Sequence, residues 1–443
     1  MTKVKSRFAP SPTGRLHIGN IRAAIITWLF VRSQGGEFML RIDDTDAERS
    51  KDEYTQTIKE DLTWLGLNWD SYAHQRDRFD RYNEVIQKLK DDGRLYPCYE
   101  TAEELDLKRN LLLKRGKPPL YDRGALNLTD AQKAAYEAEG RRPHWRFKMN
   151  DAPIEWDDII RGKVSFHGKD MSDPVLIRED GSPLYHICSV IDDIDFEITH
   201  VVRGEDHVSN TASHIQMMEA IGGKVPTYAH TSLISDAQGG KLSKRIGSLG
   251  ISQLRDDEGL EPMAIISLIS RLGTSDPIDA VKSLDEAVAN FDFSKFSRGT
   301  PKFDPNDLDR LNAKLLHEMS YEEAKSRLPE GADKTFWETV KPNLEKMRDI
   351  NELYRIIYGP VEPVIDDQDY AVAAAETLPD APWDNTTWST WVGAIKDKTG
   401  RKGKELFMPL RLALTGMEHG PELANMLPLI GREKTLKRLK KAA

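Results

Sequence analysis

Cysteine is scarce in this chain. Cys98 and Cys188 are the only two in 443 residues, too few for a disulfide framework, and neither belongs to a C-x-x-C pair, so a reducing cytoplasm is the expected setting. Long apolar runs are also missing. The best, "IITWLFV", lies between Arg22 and Arg32 and falls far short of the roughly 20 residues a membrane span needs. The N-terminus "MTKVKSRFAPSPTG" is charged but lacks an apolar stretch, which argues against a secretory leader. Positive charge is not in excess: the net charge is −9, so bulk composition gives no hint of a polyanion partner, although a local basic face would be enough to bind one. Internal repeats and low-complexity tails are absent. What remains is 39% hydrophobic and 30% charged residues, a globular composition in a chain too long for one core, and two to four domains are expected.

The first hundred residues alternate in the α/β manner. "VKSRFA" reads as a strand, "IRAAIITWLFVR" as a helix, and "EFMLRI" returns to period two with Phe38, Leu40 and Ile42 on one face, a strand-helix-strand order that implies a parallel sheet. "SKDEYTQTIKEDLTWLGL" predicts a helix opened by a Ser50/Glu53 capping box. From about residue 96 to 185 polar helices, a Pro-rich patch near Pro118 and short strands such as "KVSFHG" and "PVLIR" read as an insertion. The sheet then resumes with "LYHICSVID" and "EITHVVR" as predicted strands and a helix over "SNTASHIQMMEAIGG". Beyond about residue 250 nearly every periodic segment is helical.

Two motifs carry chemistry. "APSPTGRLHIGN" (9–20) follows the first strand and opens the first helix, the place where α/β sheets hold ligands. Gly14 allows a tight backbone, Gly19 clears space at the helix start, amides from Asn20 onward can face an anion, and His17 adds a donor. The motif is neither a G-x-G-x-x-G fingerprint nor a P-loop; in "GGKLSK" Leu242 stands where Ser or Thr is required and Ser235 where the first glycine belongs. The second motif, "GGKLSKR" (239–245), offers two ammonium groups after a Gly-Gly hinge, suited to a phosphate chain that gains charge as it leaves. Either motif alone also reads as an ordinary turn or a solvated lysine loop.

Together the two blocks resemble the glutamyl-tRNA synthetases. "RFAPSPTGRLHIGN" is similar to that family's form of the class I HIGH signature, with Asn20 where the general signature has His. "KLSKR" is similar to its KMSKS loop, and "GGEFMLRIDDTDAERS", "LYHICSVIDD" and "VVRGEDHVSNTASH" resemble the intervening blocks in the same order. The resemblance implies a Rossmann-like α/β catalytic domain split over 1–95 and 186–245, an α+β acceptor-binding insertion at 96–185, a helical stem-contact region at 246–305 and an all-α anticodon-binding region at 306–443. It implies ATP as substrate, accompanied by Mg²⁺, with L-glutamate and tRNA(Glu), or also tRNA(Gln), as partners of a cytoplasmic monomer. His17, Lys241 and Lys244 are the implied catalytic donors, and no side-chain nucleophile is needed. Thr13, Gly14, His17, Gly19, Asn20, Lys241, Ser243 and Lys244 would hold ATP. Arg7, Ala9, Ser11, Asp43, Tyr185 and Arg203 would surround glutamate, an arginine fork suiting its side-chain carboxylate.

Two departures stand out. "RIDDTD" places Asp43 where bacterial members commonly carry Glu. Some relatives bind a structural zinc in the insertion through Cys-x-Cys and Cys-x-His, but Cys98 here is paired with Glu100 and "YDRGALNL" supplies no further ligand, so no metal is expected. The basic stretches "KRNLLLKRGK" and "RRPHWRFK" suit an acceptor end, and "REKTLKRLKK" is either a further contact or a solvated helix face. Small nucleotidylyltransferases and a shortened paralogue that glutamylates a tRNA base share the two motifs but lack the helical C-terminal part. A binding-only paralogue is disfavoured by the intact His17, Gly19, Lys241 and Lys244.

Overall fold

The computed structural model describes residues 3–236, 240, 250–384 and 386–440; Lys241, Ser243 and Lys244 lie outside the described residues. The chain divides into two compact units, Met1–Asp257 with Ile265–Pro305, and Glu258–Ala264 with Asn306–Ala443.

In the first unit, β1 (Lys5–Phe8), α1 (Ile18–Ser33), β2 (Glu37–Ile42), α2 (Asp52–Trp64), β3 (Ser71–His74) and α3 (Phe79–Asp91) alternate as predicted. β1, β2 and β3 form a parallel sheet with Arg7 opposite Met39 and Ile42 opposite His74. α1 is apolar almost all round and buries 11 of its residues from Ile18 to Val31, the mark of a helix covered on several sides rather than one laid on a surface. α2 departs from the expected cap. Its N-cap is Lys51, with no side-chain cap bond, and the buried Ser50 hydroxyl has no hydrogen-bond partner; Asp52 and Glu53 instead favour the start of the helix through its dipole.

β4 (Leu95–Cys98), α4 (Ala102–Lys114), α5 (Asp130–Ala138), β5 (His144–Phe147), β6 (Pro153–Asp158), β7 (Gly162–His167) and β8 (Val175–Ile177) follow. β4, β5 and β8 make a small antiparallel sheet of their own, whereas the β6–β7 hairpin pairs through β6 with a strand much later in the chain. The 96–185 segment thus supplies both a separate sheet and an edge of the main one.

"LYHICSVID" is not a strand. It is the helix α6 (Tyr185–Asp195), and Ile187, Cys188, Val190 and Ile191 are buried at helical spacing; a short apolar run does not distinguish the two periods. The Cys188 thiol is fully buried and burial pushes its pKa up, fitting a packed core thiol. β9 (His200–Gly204), α7 (Val208–Ile221) and β10 (Thr227–Thr231) complete the sheet, and Gly222 caps α7 in the left-handed conformation.

The Thr199 amide donates to the Lys5 carbonyl (3.0 Å) and the Lys5 amide to Thr199 Oγ1 (2.8 Å), setting β9 beside β1. The order across the layer is then β3-β2-β1-β9-β10-β6-β7. The order of the connections reverses between β1 and β9, the kind of switch point beyond whose strand carboxyl ends α/β sheets hold ligands.

Beyond the undescribed residues, the short helix Ile251–Asp256 meets α2, where Arg255 Nη1 approaches Asp61 Oδ1 at 3.4 Å while the buried Asp61 Oδ2 has no hydrogen-bond partner. Burial raises the Asp61 pKa from 3.8 to about 6. An acid shifted upward on folding costs stability as pH rises through that interval, and the cost is complete above it. Asp61→Asn is therefore expected to match the parent chain near pH 4 and to exceed its stability by about 1–2 kcal/mol at pH 8, as read from thermal melts across pH.

In the second unit helices Pro305–Glu318, Lys334–Val340 and Ile350–Tyr358 gather round Phe336, Trp337 and Ile357. Helices Gln368–Glu376, Thr387–Thr399 and Lys404–Thr415 enclose Trp391 and Leu410. The basic C-terminal helix Arg432–Leu439 is not simply a solvated face. Arg438 is buried and donates to the carbonyls of Leu414, Ile356 and Gly359, joining helix ends that would otherwise leave acceptors unpaired. Among the described residues no helix is long and apolar enough to cross a membrane.

Candidate active site

The turn 9–14 is pinned beyond the carboxyl end of β1 by backbone bonds. The Asp43 amide donates to the Pro10 carbonyl and the Lys51 amide to the Pro12 carbonyl, both at 3.0 Å. Ala9 is partly buried, while Ser11 and Thr13 are exposed. The chain emerging from the undescribed "KLSKR" segment returns to the same place: His17 and Gly250 form an antiparallel bridge, and the Ile251 amide donates to the Leu16 carbonyl at 3.0 Å. The flank of the second motif is thus tethered to the first.

His17 caps α1. Its Nδ1 accepts from the Gly19 amide (3.1 Å), while the Asn20 side chain accepts from the His17 amide (3.5 Å). Asn20 thereby closes a capping box, a physical role for the residue that departs from the general signature. Desolvation by the surrounding turn lowers the His17 pKa. The ring is then neutral at pH 7, and acceptance at Nδ1 leaves Nε2 as the outward donor. A Cβ at Gly19 would come within 3.0 Å of His17 Cε1 and 3.1 Å of Nδ1. Gly19→Ala is expected to displace the imidazole from its place at the start of α1, which NMR chemical shifts of the ring protons would show. Gly14 is different: a Cβ there meets nothing within 4 Å.

Behind the turn lies a buried charge cluster. Arg7 on β1 grips Asp193 with Nε (2.8 Å) and Nη2 (3.1 Å). Arg41 on β2 donates from Nε (2.7 Å) and Nη2 (3.2 Å) to Asp43 and from Nη1 to Asp193 (2.8 Å). Ser189 donates to Asp43 at 3.4 Å. Asp192, the neighbour of Asp193 on α6, takes bonds from Gln75, Arg78 and Tyr82. Burial pushes the Asp43 carboxyl up despite Arg41. Burial also opposes ionisation of Asp193, but Arg7 and Arg41 more than offset it and hold that carboxyl below its ordinary range.

Arg203 is built otherwise. Near the carboxyl end of β9, it donates from Nη2 to Thr211 Oγ1 (2.6 Å) and the His207 carbonyl (3.4 Å) and from Nε to His230 Nε2 (3.3 Å), and it lies over the Tyr228 ring at 5.5 Å. Among the described residues no carboxylate lies within ion-pair distance of it. Burial lowers its pKa, as expected for a cation removed from water and given only neutral partners. Tyr185, the first residue of α6 rather than the head of a strand, accepts from Asn210 Nδ2 at 3.0 Å, and Asn210 also meets His207 Nδ1 at 3.2 Å.

The structure therefore joins Arg7 and Asp43 in one network, ties the turn at residue 10 to Asp43, and links Tyr185 to the Arg203 surroundings through Asn210 and His207. Sequence reasoning did not single out Arg41, Asp193, Ser189, Thr211, His207, Asn210, His230 or Asp158. The acid pair "DD" ending an apolar run was the one visible signal, and its strand reading hid that both acids are buried.

In the insertion, Cys98 is buried and accepts from the Tyr121 hydroxyl at 3.7 Å, and burial raises its thiol pKa to about 11. Glu100 receives Tyr121 (3.0 Å) and Lys108 (3.2 Å). A cleft of about 390 Å³ runs beside it, lined by Lys108, Arg109, Arg115, Tyr121 and Arg146. Of "RRPHWRFK", His144, Arg146 and Phe147 are buried strand residues.

Comparison with known proteins agrees with this organisation. Residues 3–310 match the model of the class I tRNA synthetase (E and Q) catalytic domain, and residues 307–443 match an anticodon binding domain. The chain is 57% identical to glutamate-tRNA ligase 1 of Maricaulis maris over 442 residues, 99% of each chain. It is 55% identical to glutamate-tRNA ligase of Azospirillum brasilense, with 98% of each covered. A crystal structure of a glutamate tRNA ligase from Elizabethkingia meningosepticum, in complex with its amino acid, superposes with a TM-score of 0.85 at 29% identity, covering 100% of this chain and 99% of that one. On a match that spans both parts of the chain, it belongs to the glutamate-tRNA ligase family of class I aminoacyl-tRNA synthetases.

Proposed function

We propose that the chain attaches glutamate to tRNA in two ATP-dependent steps. The glutamate α-carboxylate attacks the α-phosphate of ATP and releases pyrophosphate, and the terminal adenosine of tRNA then takes the glutamyl group. The observation that carries the reading is Arg203, a partly buried guanidinium held only by neutral groups at the sheet's switch point, which suits the substrate's side-chain carboxylate. Arg7, Ala9, Ser11, Asp43 and Tyr185 form the rest of that side. Asp43 is already engaged by Arg41 and Ser189, so it acts on the amino group through the local field rather than as a free acceptor.

On the other side His17 Nε2, Thr13, Gly14, Gly19 and the helix start at Asn20 receive ATP with its Mg²⁺, and Lys241, Ser243 and Lys244 close over the phosphates. Charge develops on the triphosphate as pyrophosphate leaves, so fixed donors provide most of the rate gain. The basic cleft of the insertion, with Arg109 and Arg115 beside Tyr121, suits the acceptor end of tRNA. The helical second unit would read the anticodon. The enzyme works as a cytoplasmic monomer on tRNA(Glu), and tRNA(Gln) is the alternative acceptor.

ATP–pyrophosphate exchange with glutamate, run with and without tRNA, tests the first step, and no exchange in either condition would sink the reading. Charging of purified tRNA(Glu) and tRNA(Gln) in parallel then decides the acceptor.

A further inference from the structure

We propose that Asp158 and His230 are positioning residues that present Arg203 to the substrate carboxylate by fixing the tautomer of His230. The inference rests on Arg203 as the glutamate side-chain ligand. Asp158, at the end of β6, and His230, in β10, are both completely buried. Asp158 Oδ1 accepts three backbone amides, from Ile160 (3.1 Å), Arg161 (3.0 Å) and His230 (3.2 Å), while Oδ2 faces His230 Nδ1. With Oδ1 committed to those amides, an ionised Asp158 draws the imidazole proton to Nδ1. Nε2 is left as a bare acceptor, and it faces Arg203 Nε at 3.3 Å and Thr211 Oγ1 at 2.9 Å.

Thr211 Oγ1 in turn accepts from Arg203 Nη2 at 2.6 Å. The guanidinium is thus oriented by a neutral ring and a hydroxyl, while the anion that sets the ring lies one residue further away. A carboxylate placed directly on Arg203 would orient it equally well but would compete with the substrate for its charge. Arg7 and Arg41 are oriented in that direct way, by Asp193 and Asp43, which leaves Arg203 as the one of the three with a full charge to offer.

Asp158→Asn separates this role from simple packing. The three amides at the Oδ1 position require the side-chain oxygen to stay there, so the new amide nitrogen falls at the Oδ2 position and donates to Nδ1. The His230 proton then moves to Nε2 and opposes the Arg203 N–H. The expected result, with the full chain, is a glutamate KM raised about 10- to 100-fold in tRNA charging, with the ATP KM within about twofold of the parent. A folded Asp158→Asn enzyme with the parent glutamate KM would overturn the proposal.

Should that variant not fold, His230→Asn, which keeps the donor toward Asp158 but lacks the acceptor, is expected to raise glutamate KM. His230→Gln, which restores an acceptor near Nε2, should recover most of the loss, and equal KM values for the pair would refute the relay. Arg203→Ala runs alongside. If it alone raises glutamate KM, the relay fails and the role of Arg203 stands; if it leaves glutamate KM unchanged, the reading of Arg203 fails and the relay with it.

Discussion

Arg203→Ala is expected to lower kcat/KM for glutamate about 10³-fold, with little change in the ATP KM or in the unfolding midpoint. The size follows from a desolvated guanidinium–carboxylate pair, whose loss costs about 2–5 kcal/mol, at about 1.4 kcal/mol for each factor of ten. The small effect on folding follows from its partners. His207 offers a carbonyl, Thr211 a hydroxyl and His230 a neutral ring, so removing the cation strands no buried anion. Arg203→Lys keeps the charge but loses the planar fork and should recover only part of the activity. Steady-state charging at varied glutamate, paired with a thermal melt, checks all three statements; a large drop in stability would show that Arg203 is structural.

Arg41→Met has the opposite signature, a loss of about 3–5 kcal/mol in stability, because it strips a buried anion cluster of its shared cation. Arg41 is 1% exposed and serves Asp43, Asp193 and Ser189 at once, with Asp192 at 3.6 Å. Without it Asp43 keeps only Ser189, and Asp193 keeps only Arg7. The pH dependence has a definite sign. Carboxyls left in a dry site have raised folded pKa values, so the deficit should be smaller near pH 5, where they can hold protons, and full at pH 8. Arg41→Met combined with Asp43→Asn should recover part of the loss, because the most dependent anion is gone. Urea unfolding at the two pH values measures this, and a deficit that does not change with pH would point to lost packing instead.

These two arginines also show where reading along the chain stops. Arg7, Asp43, Tyr185 and Arg203 could be picked out as candidates because they sit in the motif blocks, and the parallel order of β1, β2 and β3 was legible because period two and period 3.6 alternate cleanly there. α6 was not legible as a helix. "LYHICSVID" offers apolar residues compatible with both periods, and only packing against the sheet resolved them. The same ambiguity hid Asp192 and Asp193, whose importance lies in what faces them from β1, β2 and α3. The "REKTLKRLKK" segment misled in a related way, since charge composition does not say that Arg438 is buried against carbonyls of two other helix ends.

By itself the sequence determined the chemistry available to this protein: a glycine-bearing turn with His17 after the first strand, two lysines in a second motif some 220 residues on, and arginines and acids at strand ends. Such features are local, fixed by residue type and short spacing. Only the tertiary structure decided which cation is paired with a carboxylate and which is held by neutral groups alone. Asp193 neutralises Arg7 across 186 residues of chain and Asp158 reaches Arg203 through His230 across 72. Partnership over such separations depends on sheet register and helix rotation, which no local pattern encodes.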